Sequence, residues 1–177
     1  MKLGFSLTKK QFALFVVILV AMLVGACYKS NEASTPKTKE GEIDPTRPPK
    51  IAKAYFYDGG VCPIDSSIPK VVSDLIAVSK KLPLSITGWA TTDSTGKPVA
   101  PMIFAVLSNG TGTFYLEGKR TPRPDVANGN RLLDLVGFEI AGSLANIPVG
   151  DYKLGIASGT EFVVDNCKTP VVVRVGE

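Results

Sequence analysis

Beyond residue 50 the apolar residues of this chain come in short runs, rich in Val, Ile and aromatics, and Gly, Pro, Asn or Asp breaks them at close intervals. The runs are LPLSITGWATT (82–92), PMIFAVLS (101–108), GTFYLE (112–117), DYKLGIAS (151–158), EFVVD (161–165) and TPVVVRV (169–175). Their length and β-branched content are those of strands. Apolar residues alternate at Leu82, Leu84 and Ile86, at Tyr152, Leu154 and Ile156, and at Val171, Val173 and Val175, so one face of each strand is expected to be buried. Ser108-Asn109-Gly110-Thr111-Gly112 reads as a hairpin, because Asn and Gly accept the positive φ of tight turns. Asp93 to Pro98 reads as a second turn. The stretch KVVSDLIAVSKK (70–81) places Val71, Leu75 and Val78 on one helical face, yet its β-branched residues suit a strand equally, and both readings stay open.

Several short strands with Gly/Pro-rich connections argue for an all-β domain. The expected architecture is an antiparallel, immunoglobulin-like β-sandwich, with 70–81 the one place for a short helix. About 127 of the 177 residues follow residue 50, enough for one domain that buries roughly 65% of its unfolded surface without a metal.

The first 26 residues have a different pattern. Lys2, Lys9 and Lys10 precede an uncharged apolar stretch from Gln11 to Val24, as in a secretory leader. An uncleaved membrane anchor is the alternative, but a spanning helix needs about 20 apolar residues and this run meets small residues and Lys29 first. At its end, Leu23-Val24-Gly25-Ala26-Cys27 resembles the lipobox of bacterial lipoproteins. The resemblance implies removal of residues 1–26, a diacylglycerol thioether on Cys27 and, usually, acylation of the new amino terminus, with palmitate a common chain. Two or three chains hold a protein on a bilayer where one holds it only marginally. Tyr28 stands where lipoproteins retained at the inner membrane carry Asp, so the resemblance favours the outer membrane, facing the periplasm or the cell surface. Residues 27–50 then form a lipidated cysteine and a polar, proline-rich spacer too poor in apolar residues to order itself, leaving 51–177 as the folded domain.

With Cys27 assigned to lipid, Cys62 and Cys167 remain, the even count that an oxidising compartment pairs. A Cys62–Cys167 disulfide is expected, a free reactive thiol being the alternative. It closes a loop of about 100 residues, worth about 4.7 kcal/mol on the chain-entropy model.

A second pattern runs through the domain: Ile86-Thr87-Gly88-Trp89-Ala90, Asp93, Thr121 to Ala127 (TPRPDVA), Gly137-Phe138 and Ile147 to Leu154 (IPVGDYKL). This order resembles β-sandwich modules that accompany bacterial membrane glycosyltransferases and other envelope polysaccharide proteins, over about residues 82–157. The resemblance implies an accessory, ligand-contacting role rather than a catalytic one, although no membrane enzyme is attached here. Within it, Pro148 to Tyr152 reads as a turn that sends Tyr152 inward, its hydroxyl bonding back to upstream backbone. Trp89 is out of phase with Leu84 and Ile86, and lies on the opposite face unless Gly88 forms a bulge. Trp89 and Tyr115 are the candidate aromatic contacts. Arg123 and Asp125, held between prolines, are candidates for sugar hydroxyls or a partner chain, or else form a local salt bridge and turn cap.

The chain contains no histidine, which removes the usual general base and a common metal ligand. Asp125, Asp134 and Glu139 are available to glycosidase chemistry, but nothing in the sequence brings two of them together. No phosphate-cradling glycine loop or calcium loop is present, so neither a cofactor nor a metal is expected, and the domain is read as non-catalytic. Three of the lysines behind the net charge of +4 lie in the leader, and the remaining +1 gives no footing for nucleic acid. Two functional readings remain: a membrane-anchored binding module for envelope glycans, and an adaptor that docks another envelope protein through sheet edges or the Pro122–Pro124 loop.

Overall fold

The computed structural model describes residues 46–92 and 99–177. The leader, Cys27, most of the spacer and the turn expected at 93–98 lie outside the described residues. Among the described residues nine strands follow one another: β1 (Tyr55–Asp58), β2 (Ile64–Ile68), β3 (Leu75–Ser79), β4 (Pro83–Trp89), β5 (Met102–Asn109), β6 (Gly112–Thr121), β7 (Gly137–Ser143), β8 (Gly150–Gly159) and β9 (Val163–Gly176). A short α-helix, α1 (Pro124–Ala127), lies between β6 and β7.

The domain is all-β, as its runs require, but it is a curled mixed sheet. Hydrogen bonding runs unbroken in the order β1-β9-β8-β5-β6-β7-β4-β2, and β3 joins β9 off this path. Two features mark the sheet out, the first of which corrects the expected all-antiparallel pairing. First, β1 and β3 pair with β9 in parallel, β1 along Val163 to Asn166 and β3 along Val172 to Gly176. Second, β6 passes from one half of the sheet to the other: its Gly112 to Glu117 pairs with β5 and its Gly118 to Thr121 with β7. The two halves of the sheet are thereby joined through a shared strand.

The curl brings Leu84 and Ile86 of β4 and Phe138 and Ile140 of β7 into one core with Ile103 and Leu107 of β5, Leu154 and Ile156 of β8, and Val173 and Val175 of β9. The alternation at β8 and β9 is therefore that of the core, whereas Leu82 sits outside β4 and is exposed. Tyr152 is buried, packs edge-on against Phe114 at 5.7 Å, and donates its hydroxyl to Pro148 O at 2.8 Å, as its turn predicts. A smaller cluster of Ile51, Ala54, Phe104, Val106, Ala157 and Val164 covers the opposite face of β5. Being buried on both faces explains why β5 reads as a continuous apolar run.

The helical reading of 70–81 is overturned. Ser73 and Asp74 both take positive φ (50° and 59°), and Val72 and Leu75 exchange backbone hydrogen bonds across them. Two successive left-handed residues make a tight turn and cannot continue a helix. The strand reading survives as β3. The β5–β6 hairpin stands where it is expected, but no residue of its turn takes positive φ. Asn109 Oδ1 instead accepts from Thr111 N at 2.9 Å and Gly112 N at 3.1 Å. EFVVD and TPVVVRV merge into the single long β9, with a register shift opposite Lys153 and Gly155 that accommodates Pro170. There Thr169 Oγ1 donates to Leu154 O at 2.8 Å. Cys62 and Cys167 form the expected disulfide, Cα atoms 6.1 Å apart and 105 positions apart in sequence.

Candidate functional site

The candidate site is assembled where the ends of β2, β4 and β7 meet α1. Along β4 the residues Leu84, Ile86 and Gly88 turn inward, leaving Ser85, Thr87 and Trp89 on the outer face. Trp89 is thus opposite the core, as its phase predicts, but half-buried rather than fully exposed. Gly88 is not bulged. A Cβ there would lie 2.2 Å from Pro63 O and 2.8 Å from the Phe138 ring, so glycine is required by close approach. The irregularity is on the neighbouring strand: Ile64 pairs with Gly88 and Ser66 with Thr87, which leaves Asp65 as the extra residue of a bulge in β2. Bulges re-aim side chains. This one directs the Asp65 carboxylate at the Arg123 guanidinium.

Arg123 stands at the start of α1, where its carbonyl accepts from Val126 N at 3.1 Å and Ala127 N at 2.8 Å. Its Nε donates to Asp125 Oδ1 at 2.8 Å and its Nη2 to Asp125 Oδ2 at 2.7 Å, while Nη1 bonds Asp65. The local salt bridge foreseen between Arg123 and Asp125 is present, and a second carboxylate from β2 extends it. The Arg123 hydrogen bond holds the Asp125 carboxyl down to about 2, and the two carboxylates raise the Arg123 guanidinium further above its ordinary value. Asp125 is therefore a permanently ionised acceptor at neutral pH.

Gly137 joins Trp89 to this cluster. It is the β7 residue paired with Trp89, and a Cβ on it would lie 2.6 Å from Arg123 Cγ. The arginine stem occupies the place that a side chain at 137 would take, beside Trp89 on the outer face. Three of the four ligand-contact candidates, Trp89, Arg123 and Asp125, are thereby gathered, together with Asp65. Tyr115 is not among them. It packs against the smaller cluster on the part of β6 paired with β5. Trp89 pairs with Gly137, and Gly137 with Thr121, six residues along β6 from Tyr115, or about 20 Å at strand spacing.

On its other side Asp65 lines a groove of about 530 Å³ between β2 and the stretch of β9 that neither β1 nor β3 covers, with Pro63, Lys70, Asp74, Thr169 and Pro170 around it. That volume is within the range of small-ligand sites. Asp65 had no sequence signal, since it is hidden in a polar run that does not read as a strand. Arg120 carried none either, its partners being distant backbone groups. It donates to Ala100 O at 2.9 Å, to Ala90 O and Val136 O at 3.1 Å, and to Ser158 Oγ. Burial pushes its guanidinium down to about 10. It ties together the chain segments that position Trp89 and β7.

Nε, Nη1 and Nη2 of Arg123 each donate to a carboxylate, so a ligand at this face meets the acceptors of Asp65 and Asp125 beside the remaining guanidinium N–H groups. The Asp125 and Asp65 side chains are 62% and 42% exposed, with lone pairs left over, and bond the arginine whose stem packs at Gly137, the partner of Trp89. Hydroxyl-rich, uncharged rings suit that chemistry, and anions do not. Comparison with family models, with curated proteins and with solved structures finds no match to this chain.

Proposed function

We propose that this chain is a membrane-anchored, non-catalytic lipoprotein of a bacterial cell envelope, favouring the outer membrane, whose domain binds uncharged envelope glycans on the Trp89 face. The observation that carries the reading is a half-buried Trp89 paired with Gly137, against which Arg123 packs while it bonds both Asp65 and Asp125. A sugar places the C–H face of its ring on an aromatic side chain and donates hydroxyl protons to fixed acceptors. The lipobox at Cys27 supports the anchor, and the Cys62–Cys167 disulfide is what an exported domain carries.

A glycan array followed by calorimetry on the purified mature protein tests the reading. Binding of a neutral envelope saccharide is expected, weakened at least about ten-fold, or roughly 1.4 kcal/mol, by Trp89→Ala. No heat with any envelope sugar, together with reproducible capture of one envelope protein by cross-linking, would replace it with the adaptor reading.

A further inference from the structure

The inner face of the sheet extends past the core at one end. Along β9, Val163, Asp165 and Cys167 share the face whose continuation is the core, yet Val163 is 43% exposed. Tyr55 pairs with Val163 and Tyr57 with Asp165, which puts both tyrosines on that face, 50% and 43% exposed. Phe162, whose carbonyl accepts from Tyr55 N, is 68% exposed. Two tyrosine rings and a valine thus share one uncovered face at the free end of the sheet, with Phe162 exposed beside it in the β8–β9 turn. The face is not scattered surface apolarity, because Tyr55, Tyr57 and Val163 belong to one paired strand end.

The same strand receives the N-terminal segment. Arg47 donates to Ala54 O at 3.2 Å and lies 4.1 Å over the ring of Phe56, which packs on the smaller cluster on the face of β1 opposite the two tyrosines. The chain leading back to Cys27 therefore departs from β1. Arg47 is twenty residues after Cys27, a length that spans at most about 70 Å when fully extended. A domain so confined meets the anchoring surface at an effective concentration in the millimolar range, so a weak apolar contact is enough to be populated.

We propose that the Tyr55–Tyr57 face, with the exposed turn residue Phe162 beside it, seats the domain on the bilayer that holds its own lipid. Tyrosine rings suit the headgroup boundary, apolar body inward and hydroxyl in water, and the exposed Phe162 adds apolar surface at the same strand end. The rim mixes Lys53 and Lys168 with Asp58 and Glu161, so the contact is apolar rather than electrostatic and is insensitive to salt. The inference rests on lipidation of Cys27, and the two are separable by experiment.

Trp89 is the sole tryptophan of the chain, and its backbone bonds Pro63, near the Val61–Thr91 bridge that follows β1. Energy transfer from Trp89 to dansyl-headgroup lipid is measured for the lipidated full-length protein in vesicles. Transfer at least two-fold above that of Tyr55→Ser/Tyr57→Ser/Phe162→Ser, and unchanged between low and high salt, is expected. In a second variant, Trp89→Phe/Phe162→Trp, a blue-shifted emission quenched by brominated lipid is expected, which guards against misfolding of the first. Equal transfer with and without the aromatic residues overturns the proposal. So does transfer that changes with protein density, which would put a second copy on the face. Intact mass reports the anchor independently: an unacylated Cys27 overturns both readings, whereas an acylated chain of the second variant whose introduced indole stays water-exposed overturns this one alone.

Discussion

Arg120 and Arg123, three residues apart, are satisfied in opposite ways. Arg123 is held by the carboxylates of Asp65 and Asp125 at the surface, whereas Arg120 is partly buried and bonded to three backbone carbonyls and a serine hydroxyl. Removing Arg120 takes this donor from the Ala90 and Ala100 carbonyls and the Ser158 hydroxyl, Val136 O keeping its bond from Ala90 N, so Arg120→Met is expected to cost about 3 kcal/mol in urea unfolding. At Asp125 the effect reads out in pH. A carboxyl held near 2 in the folded protein and near 3.9 unfolded stabilises the fold above about pH 4 and loses that contribution as pH falls through 2. Carboxyl NMR of Asp125 should titrate near 2, and Arg123→Ala should return it toward 3.9. Arg123 and Asp125 were legible as a pair because two prolines flank the arginine two positions before the acid. Asp65 was not, because a bulge rather than a pattern delivers it.

Among elements, legibility followed burial. The strands β4, β5, β8 and β9 carry apolar alternation or a continuous apolar run and could be read directly, since each buries one face or both, whereas β6 was legible from its aromatic and β-branched residues although Leu116 alone in it is buried. The segments β1 and β2 are mostly exposed edge strands, and β2 is Ile-Asp-Ser-Ser-Ile, whose pattern says nothing about pairing. The ambiguity at 70–81 was resolved by the Ser73-Asp74 turn, where neither residue is the Asn or Gly that usually marks positive φ. Ser73→Asn/Asp74→Gly should therefore raise stability by about 1 kcal/mol, measured by chemical denaturation, where a helix through the same residues would lose by that change. The mirror case is the β5–β6 turn, whose Asn-Gly sequence signalled positive φ but which is closed by the Asn109 side chain.

At the scale of the molecule, the disulfide ties the chain before β2 to the middle of β9, the strand that also receives β1 and β3. Cys62→Ser/Cys167→Ser should lower stability by about 2–5 kcal/mol by thermal or urea unfolding. The all-β class was visible in the sequence because strand-like runs recur along the domain. The parallel pairs and the curl through β6 were not, since pairing partners far apart in sequence leave no local mark. The same reasoning explains the site: Trp89 could be placed on the outer face from its phase, while its juxtaposition with Arg123 depends on the absence of a side chain at Gly137.

The central claim is that this outer face binds uncharged envelope glycans, and Trp89 reports on it directly as the only tryptophan. Titrating the mature protein with neutral envelope saccharides while following indole emission should give a saturable shift, which Asp125→Asn and Asp65→Asn weaken and Tyr115→Ala leaves unchanged. Emission that does not move with any such saccharide, or a shift that Tyr115→Ala abolishes, would contradict the account.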